Sequence, residues 1–200
     1  MCIRDRQRSS SYHYDRQLVL LYKARVLGFV EYRTPAFYHA TDTVLAPLNN
    51  LQRNFLRQLG IDEVSALMEF RLAPLATRRD IAMLGLVHRA ALRLGPPQFW
   101  NFFFPSGHTG RRNTRRNARR HHLELSEPRS GRFLELVRRS ALGLVAVYNL
   151  LPREVLANNA KDFQSRLQEL VQKRAVAGCE DWPHTLSPRT PLWRHPLQQL

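Results

Sequence analysis

The sequence predicts an all-α chain: an irregular helical bundle in two parts, joined by a basic loop and followed by an extended Pro-rich tail. Three observations carry this reading. Apolar residues recur at three- and four-residue steps over most of the chain. Helix start and stop signals fall where that periodicity begins and ends. No strand-period run is longer than four residues, and no internal repeat is visible.

Residues 1–13 are polar, lack the apolar stretch of a signal peptide, and read as a disordered, non-native leader. The first helical bundle spans 14–97. Leu18, Leu21, Tyr22, Arg25, Phe29 and Tyr32 share helical spacing. Pro35 has no N–H to donate, so Thr34-Pro35 predicts a kink or break, with Thr34 capping a new start. Leu45, Leu48, Leu51, Gln52, Phe55, Leu56 and Leu59 form the clearest amphipathic stripe, with Asp42 as N-cap and Gly60 at its end. Asp62 opens a short helix through Val64, Leu67, Met68 and Phe70, and Pro74 punctuates the chain. Thr77 to Leu94 is apolar most of the way round, as suits a central helix, and Gly95-Pro96-Pro97 stops it.

Residues 98–131 form an aromatic, then Arg-rich connection. Phe99, Trp100, Phe102, Phe103 and Phe104 could stack on unpaired bases, but aromatics after a helix stop read first as core plugs. Gly107 to Gly110 has the GxxG spacing of a phosphate clamp, yet the fold that uses it needs a sheet, so it reads as a turn. The C-terminal helices span 132–178: one from Arg132 to Leu150, a break at Pro152, and a last helix capped by Asn158 or Asn159 and ended by Gly178. On that last helix Phe163, Leu167, Leu170, Val171 and Arg174 share a side. Residues 179–200, with four prolines and two tryptophans, read as an extended tail.

Composition narrows the function. The chain has 200 residues, 44% of them apolar, which excludes wholesale disorder. Its 31 Lys+Arg against 16 Asp+Glu give a net charge of +15, which favours a polyanionic partner: RNA, DNA or acidic lipid. All but Lys23, Lys161 and Lys173 of those bases are Arg. Base composition of the coding sequence can produce such skew, so Arg placement weighs more than Arg number. Cys2 and Cys179 make neither a disulfide framework nor a Cys-based zinc site, and fit a reducing compartment. The nearest candidate span, Leu134 to Leu151, is interrupted by Glu135, Arg138, Arg139 and Asn149, which argues against a membrane segment. There is no GxGxxG, P-loop, GxSxG or HExxH spacing and no Asp-Asp pair. Cys179, His184 and His195 lie on Pro-rich chain and fall short of a site. His88, inside an apolar helix, reads as a hydrogen-bonded core residue. The expectation is a non-enzyme with no catalytic, cofactor or metal residue and no small-molecule substrate.

One run stands out. Arg111, Arg112, Arg115, Arg116, Arg119 and Arg120 come in pairs every four residues, with no acid between them. On a helix all six would fall within half the circumference. Like charges at that spacing repel, so such a helix forms only when a polyphosphate neutralises it. These six are the candidate nucleic-acid-binding residues. The competing readings are a solvated loop and a nuclear-import-like basic run.

Several stretches together resemble the region after the palm of non-long-terminal-repeat retrotransposon reverse transcriptases. They are Leu21-Tyr22-Lys23-Ala24-Arg25-Val26 with Glu31-Tyr32, then Leu48 and Leu51-Gln52-Arg53-Asn54-Phe55-Leu56-Arg57 with Leu59-Gly60, then Leu72-Ala73-Pro74-Leu75 with Arg78-Arg79-Asp80. Further on come Arg139-Ser140, Gly143-Leu144, Tyr148-Asn149 with Leu151-Pro152, and Phe163-Gln164 with Leu167-Gln168. The resemblance covers roughly residues 14–196. It implies a thumb-like bundle at 14–97 and a chain that is the thumb and beyond of a larger polymerase. In that family two Mg²⁺ sit on aspartates of the palm, which this chain lacks, so no catalytic residue carries over. The implied partners are RNA or DNA backbone and the missing polymerase domain, in the nucleus or cytoplasm. Two other readings stay open: a stand-alone basic RNA-binding protein, and a helical protein-interaction module without a nucleic-acid role. Structurally, Gln52 and Arg57 are expected to bridge their helix to a neighbour, and Asn149 to end its helix in the left-handed conformation.

Overall fold

The computed structural model describes residues 14–106, 121–128 and 131–199. The chain is all-α. Among the described residues no strand forms, and one isolated antiparallel bridge pairs Pro105 with Leu125.

Helix α1 (Asp15–Tyr22) runs into a π-helical turn (Lys23–Leu27) and continues as α2 (Gly28–Phe37). The turn corrects the expected face. In it the Gly28 N–H reaches back five residues to the Lys23 carbonyl, which adds a residue to the turn and rotates the stripe that follows. The buried series is therefore Leu18, Tyr22, Leu27, Val30 and Thr34, while Phe29 and Tyr32 face solvent. Thr34 caps no new helix. Its hydroxyl donates to the Val30 carbonyl at 3.2 Å, and α2 passes through an exposed Pro35 in its last turn.

In α3 (Asp42–Gln58) the predicted stripe buries Leu45, Gln52, Phe55 and Leu56. Thr41, not Asp42, occupies the N-cap position. Gly60 follows at φ 67°, a left-handed conformation that costs glycine least. Asp62 caps α4 (Glu63–Phe70), its carboxylate accepting from the Val64 and Ser65 N–H groups at 3.0 Å each. Helix α5 (Leu75–Ala91) starts after Pro74 and is buried on most sides.

The single helix expected over 132–150 is two short ones, α6 (Leu134–Arg139) and α7 (Leu144–Asn149). Ser140 turns extended between them, and its hydroxyl donates to the Val137 carbonyl at 2.7 Å. At Gly143 a Cβ would lie 2.5–2.6 Å from backbone atoms of Arg138 and Val137, so only glycine lets the chain fold back this tightly. Helix α8 (Ala160–Val176) is capped by Asn159, which accepts from the Asp162 N–H at 2.8 Å. It packs along α5 because Gly85 leaves room for Gln164; a Cβ there would meet the Gln164 amide nitrogen at 2.4 Å.

Two apolar clusters result. One joins Leu18, Val19, Tyr22, Leu27 and Val30 to Phe55, Leu56, Ala66, Leu72 and Leu75. The other surrounds α5 with Leu144, Val147, Tyr148, Phe163, Leu167 and Val171. The second includes Trp182, Leu186 and Leu197, and this corrects the extended tail. Residues 179–199 make 3₁₀ turns (Trp182–His184, Leu192–Arg194 and Pro196–Gln199) and fold onto the bundle. The prolines fix φ at values a 3₁₀ turn accepts as readily as extended chain. Burial of the apolar residues between them then decides. Arg189 pins the tail, donating to the Asp42 carboxylate at 2.5 Å and to the Tyr38 and Ala40 carbonyls at 3.1 and 3.0 Å. Among the described residues no helix is long and apolar enough to cross a membrane.

Candidate nucleic-acid interface

The six candidate arginines, Arg111 to Arg120, lie outside the described residues, but both ends of their segment are described. The Ser106 N–H donates to the Glu124 carbonyl at 2.8 Å and the Ser126 N–H to the Phe104 carbonyl at 2.9 Å, on either side of the Pro105–Leu125 bridge. Asn149 at the end of α7 clamps this base. Its side-chain oxygen accepts from the Leu125 N–H at 3.0 Å, and its amide nitrogen donates to the Leu125 carbonyl at 2.8 Å. Asn149 thus belongs to the helix and grips a neighbour; it does not take the expected left-handed conformation. His121 is buried and donates from Nε2 to the Tyr148 carbonyl at 2.9 Å.

Beside this base the aromatic cluster divides. Phe103 is buried, and Phe99 meets it edge-on at 6.4 Å, as core plugs do. Trp100, Phe102 and Phe104 are 37%, 57% and 48% exposed. Phe99 and Trp100 lie on the 3₁₀ turn Pro97–Asn101, which sends successive side chains to different sides. The Arg93 guanidinium sits 5.4 Å from the Trp100 ring centre.

Three buried histidines support the scaffold as neutral rings. His88 donates from Nε2 to the Ala157 carbonyl at 2.7 Å, which leaves Nδ1 to accept the Tyr148 hydroxyl at 2.9 Å. It stacks on Phe163 at 4.0 Å. This is the hydrogen-bonded core residue the sequence predicts. His195 has the same tautomer, donating to the Ser187 carbonyl at 3.2 Å. Burial lowers the pKa of His88, His121 and His195, outweighing the carbonyl bonds that favour protonation. Asp80 goes the other way. It accepts the Tyr38 hydroxyl at 2.7 Å, and its burial pushes the carboxyl up to about 7. Among the described residues no group of three or more His, Cys, Asp or Glu side chains could hold a metal ion.

The residues that carried the resemblance meet one another across elements. Tyr22 stacks on Phe55 at 4.4 Å, the Gln52 amide donates to the Ala73 carbonyl at 2.9 Å, and Arg78 pairs with Glu31. Gln52 is thus the predicted bridge, whereas Arg57 is exposed and takes no part in it. Asp80 reaches Tyr38, a partner with no signal in spacing or motif. Comparison of the chain with protein-family models, curated proteins and solved structures finds no match.

Proposed function

We propose that this chain is a non-catalytic, C-terminal portion of a retroelement RNA-directed DNA polymerase, and that it binds RNA or DNA backbone without sequence preference through the Arg111–Arg120 run. The observation that carries the binding half is the pinned base: bridge, Asn149 clamp and His121 hold both ends of residues 107–120 against α7, beside three exposed aromatics. Flanks held in this way would lower the entropy lost when the run meets a partner, relative to a free tail. Phosphates would neutralise arginine pairs that otherwise repel, and Trp100, Phe102 and Phe104 offer stacking faces to unpaired bases. The origin half is supported by the ordered motif residues and by their mutual contacts. Magnesium chemistry would belong to the palm of the parent protein.

Binding across a salt series tests the first half. Six phosphate contacts give a slope of log K against log salt of about −5 on duplex DNA and about −4 on single strands. Replacing all six arginines with Gln should flatten it; an unchanged slope removes the run from the interface. The nucleotide sequence ahead of the first codon tests the second half. A palm in the same frame, intact or decayed, is expected. An untranslated leader with its own promoter would end that reading.

A further inference from the structure

A cleft of about 620 Å³ opens where the π turn, α2, α5 and α8 meet, on residues that the Arg-run reading does not use. That volume is in the range of small-molecule sites, about 300–1,000 Å³. Four cations line it: Lys23 of the π turn, Arg71 after α4, Arg78 of α5 and Lys161 of α8. One carboxylate among the lining residues, Glu31, is committed to the Arg78 Nε. Arg71 has Glu169 at 3.9 Å, but both side chains are more than half exposed, so that pair neutralises little. Lys23 donates one of its three N–H bonds to the Phe70 carbonyl. Its ammonium is held below the ordinary lysine pKa by burial first, then by Arg78 and Arg71. Positive charge is therefore gathered here beyond what Glu31 offsets.

Gln164, Ser165 and Gln168 add uncharged polar side chains to the lining. Leu27, Ile81 and Ala82 make up an apolar part of the wall. A nucleic-acid strand calls for a basic groove that tracks its backbone. Here the cations converge on one volume, beside apolar wall fit for the rest of a small molecule.

We propose that this cleft binds a small organic phosphate, a mono- or diphosphate ester, with Lys23, Arg71 and Lys161 donating to the phosphoryl oxygens. The π turn has a role in this. It moves Lys23, Leu27 and Gly28 onto the cleft wall together. Gly28 is helical, at φ −58° and ψ −39°, and a Cβ there would meet only the Lys23 carbonyl oxygen at 3.8 Å. A side chain at position 28 therefore suits the backbone and fills the site.

The test is calorimetric titration of the full chain at low salt with sodium pyrophosphate, adenosine diphosphate and a single-stranded oligonucleotide. Pyrophosphate and the diphosphate should bind saturably. The variant Lys161→Gln should weaken them by roughly tenfold, the loss of one charge-assisted bond. Gly28→Leu should abolish binding while the melting temperature stays level or rises. Replacing the six arginines of the 111–120 run with Gln should leave small-phosphate binding unchanged, so this site and the proposed nucleic-acid interface fail separately. The proposal is overturned if neither small phosphate binds, if only the oligonucleotide binds, or if a folded Gly28→Leu variant binds as before.

Discussion

Around Tyr22 and Phe55 the interior is assembled from residues 18–75, by apolar stripes lying close in sequence. Around His88 and Phe163 it draws on residues 38–197 and is threaded by polar side chains bound to backbone carbonyls. The first needs little more than amphipathic helices in sequence order. The second must choose among distant segments, and the buried histidines and Asn149 make that choice: a ring or amide bonded at 2.7–3.2 Å to one carbonyl accepts one docking geometry. Apolar contact supplies the energy in both; polar hooks are denser in the second, and the first has the Gln52 amide on the Ala73 carbonyl as its counterpart.

The largest test of this contrast is Phe163→Ala. The ring is fully buried and stacks on His88, so its loss should cost about 3–5 kcal/mol in urea unfolding. A cost under about 1 kcal/mol would mean that the second core is not a stability centre. Next is Asp80→Asn. The folded carboxyl keeps its proton to about pH 7, well above the 3.8 of an ordinary aspartate. Its contribution is thus full below about pH 4 and fades as pH rises through 7. A shift of that size is worth on the order of 4 kcal/mol. The amide variant can still accept the Tyr38 hydroxyl, so its stability relative to wild type should climb between pH 4 and pH 8. A pH-independent difference would refute the assignment. The three histidines have the opposite sign. Their lowered pKa values give stability that is present above about 6.5 and lost as pH falls.

A smaller effect is expected from Asn149→Ala. Two hydrogen bonds to Leu125 vanish and leave buried backbone groups unpaired, at about 1–3 kcal/mol. Hydrogen exchange at the Leu125 amide should speed up, while amides of α3 are unaffected. Exchange that speeds up equally in both cores would erase the distinction between them. The smallest is Asp62→Ala, which removes the cap of α4 and should lower the urea unfolding midpoint slightly, with faster amide exchange confined to the first turn of α4; an unchanged midpoint and exchange would deny the cap a role.

How much was legible follows the same divide. The stripe of α3, the cap at Asp62, a cap at Asn158 or Asn159, and the stops at Gly60 and Gly178 were readable, because each depends on neighbours within a few residues; the structure picks Asn159. The face of α2 was not, since one added residue in the π turn rotates everything after it and leaves no mark on composition. The break at Ser140–Gly143 was also hidden. Its cause is backbone contact at 2.5–2.6 Å, which periodicity does not register. Of the candidate site, the charge of the Arg run was plain in the letters. The device at its base was not, because Asn149 finds Leu125 across 24 residues.

By itself, then, the sequence determined an all-α chain with a strong positive excess, since turn-by-turn apolar spacing and charge are properties of single segments. Tertiary structure decided where the tail goes, which aromatics stay exposed, and where Lys23, Arg71, Arg78 and Lys161 come together. Those outcomes depend on which distant surfaces exclude water against each other, and that free energy exists only once the helices have met.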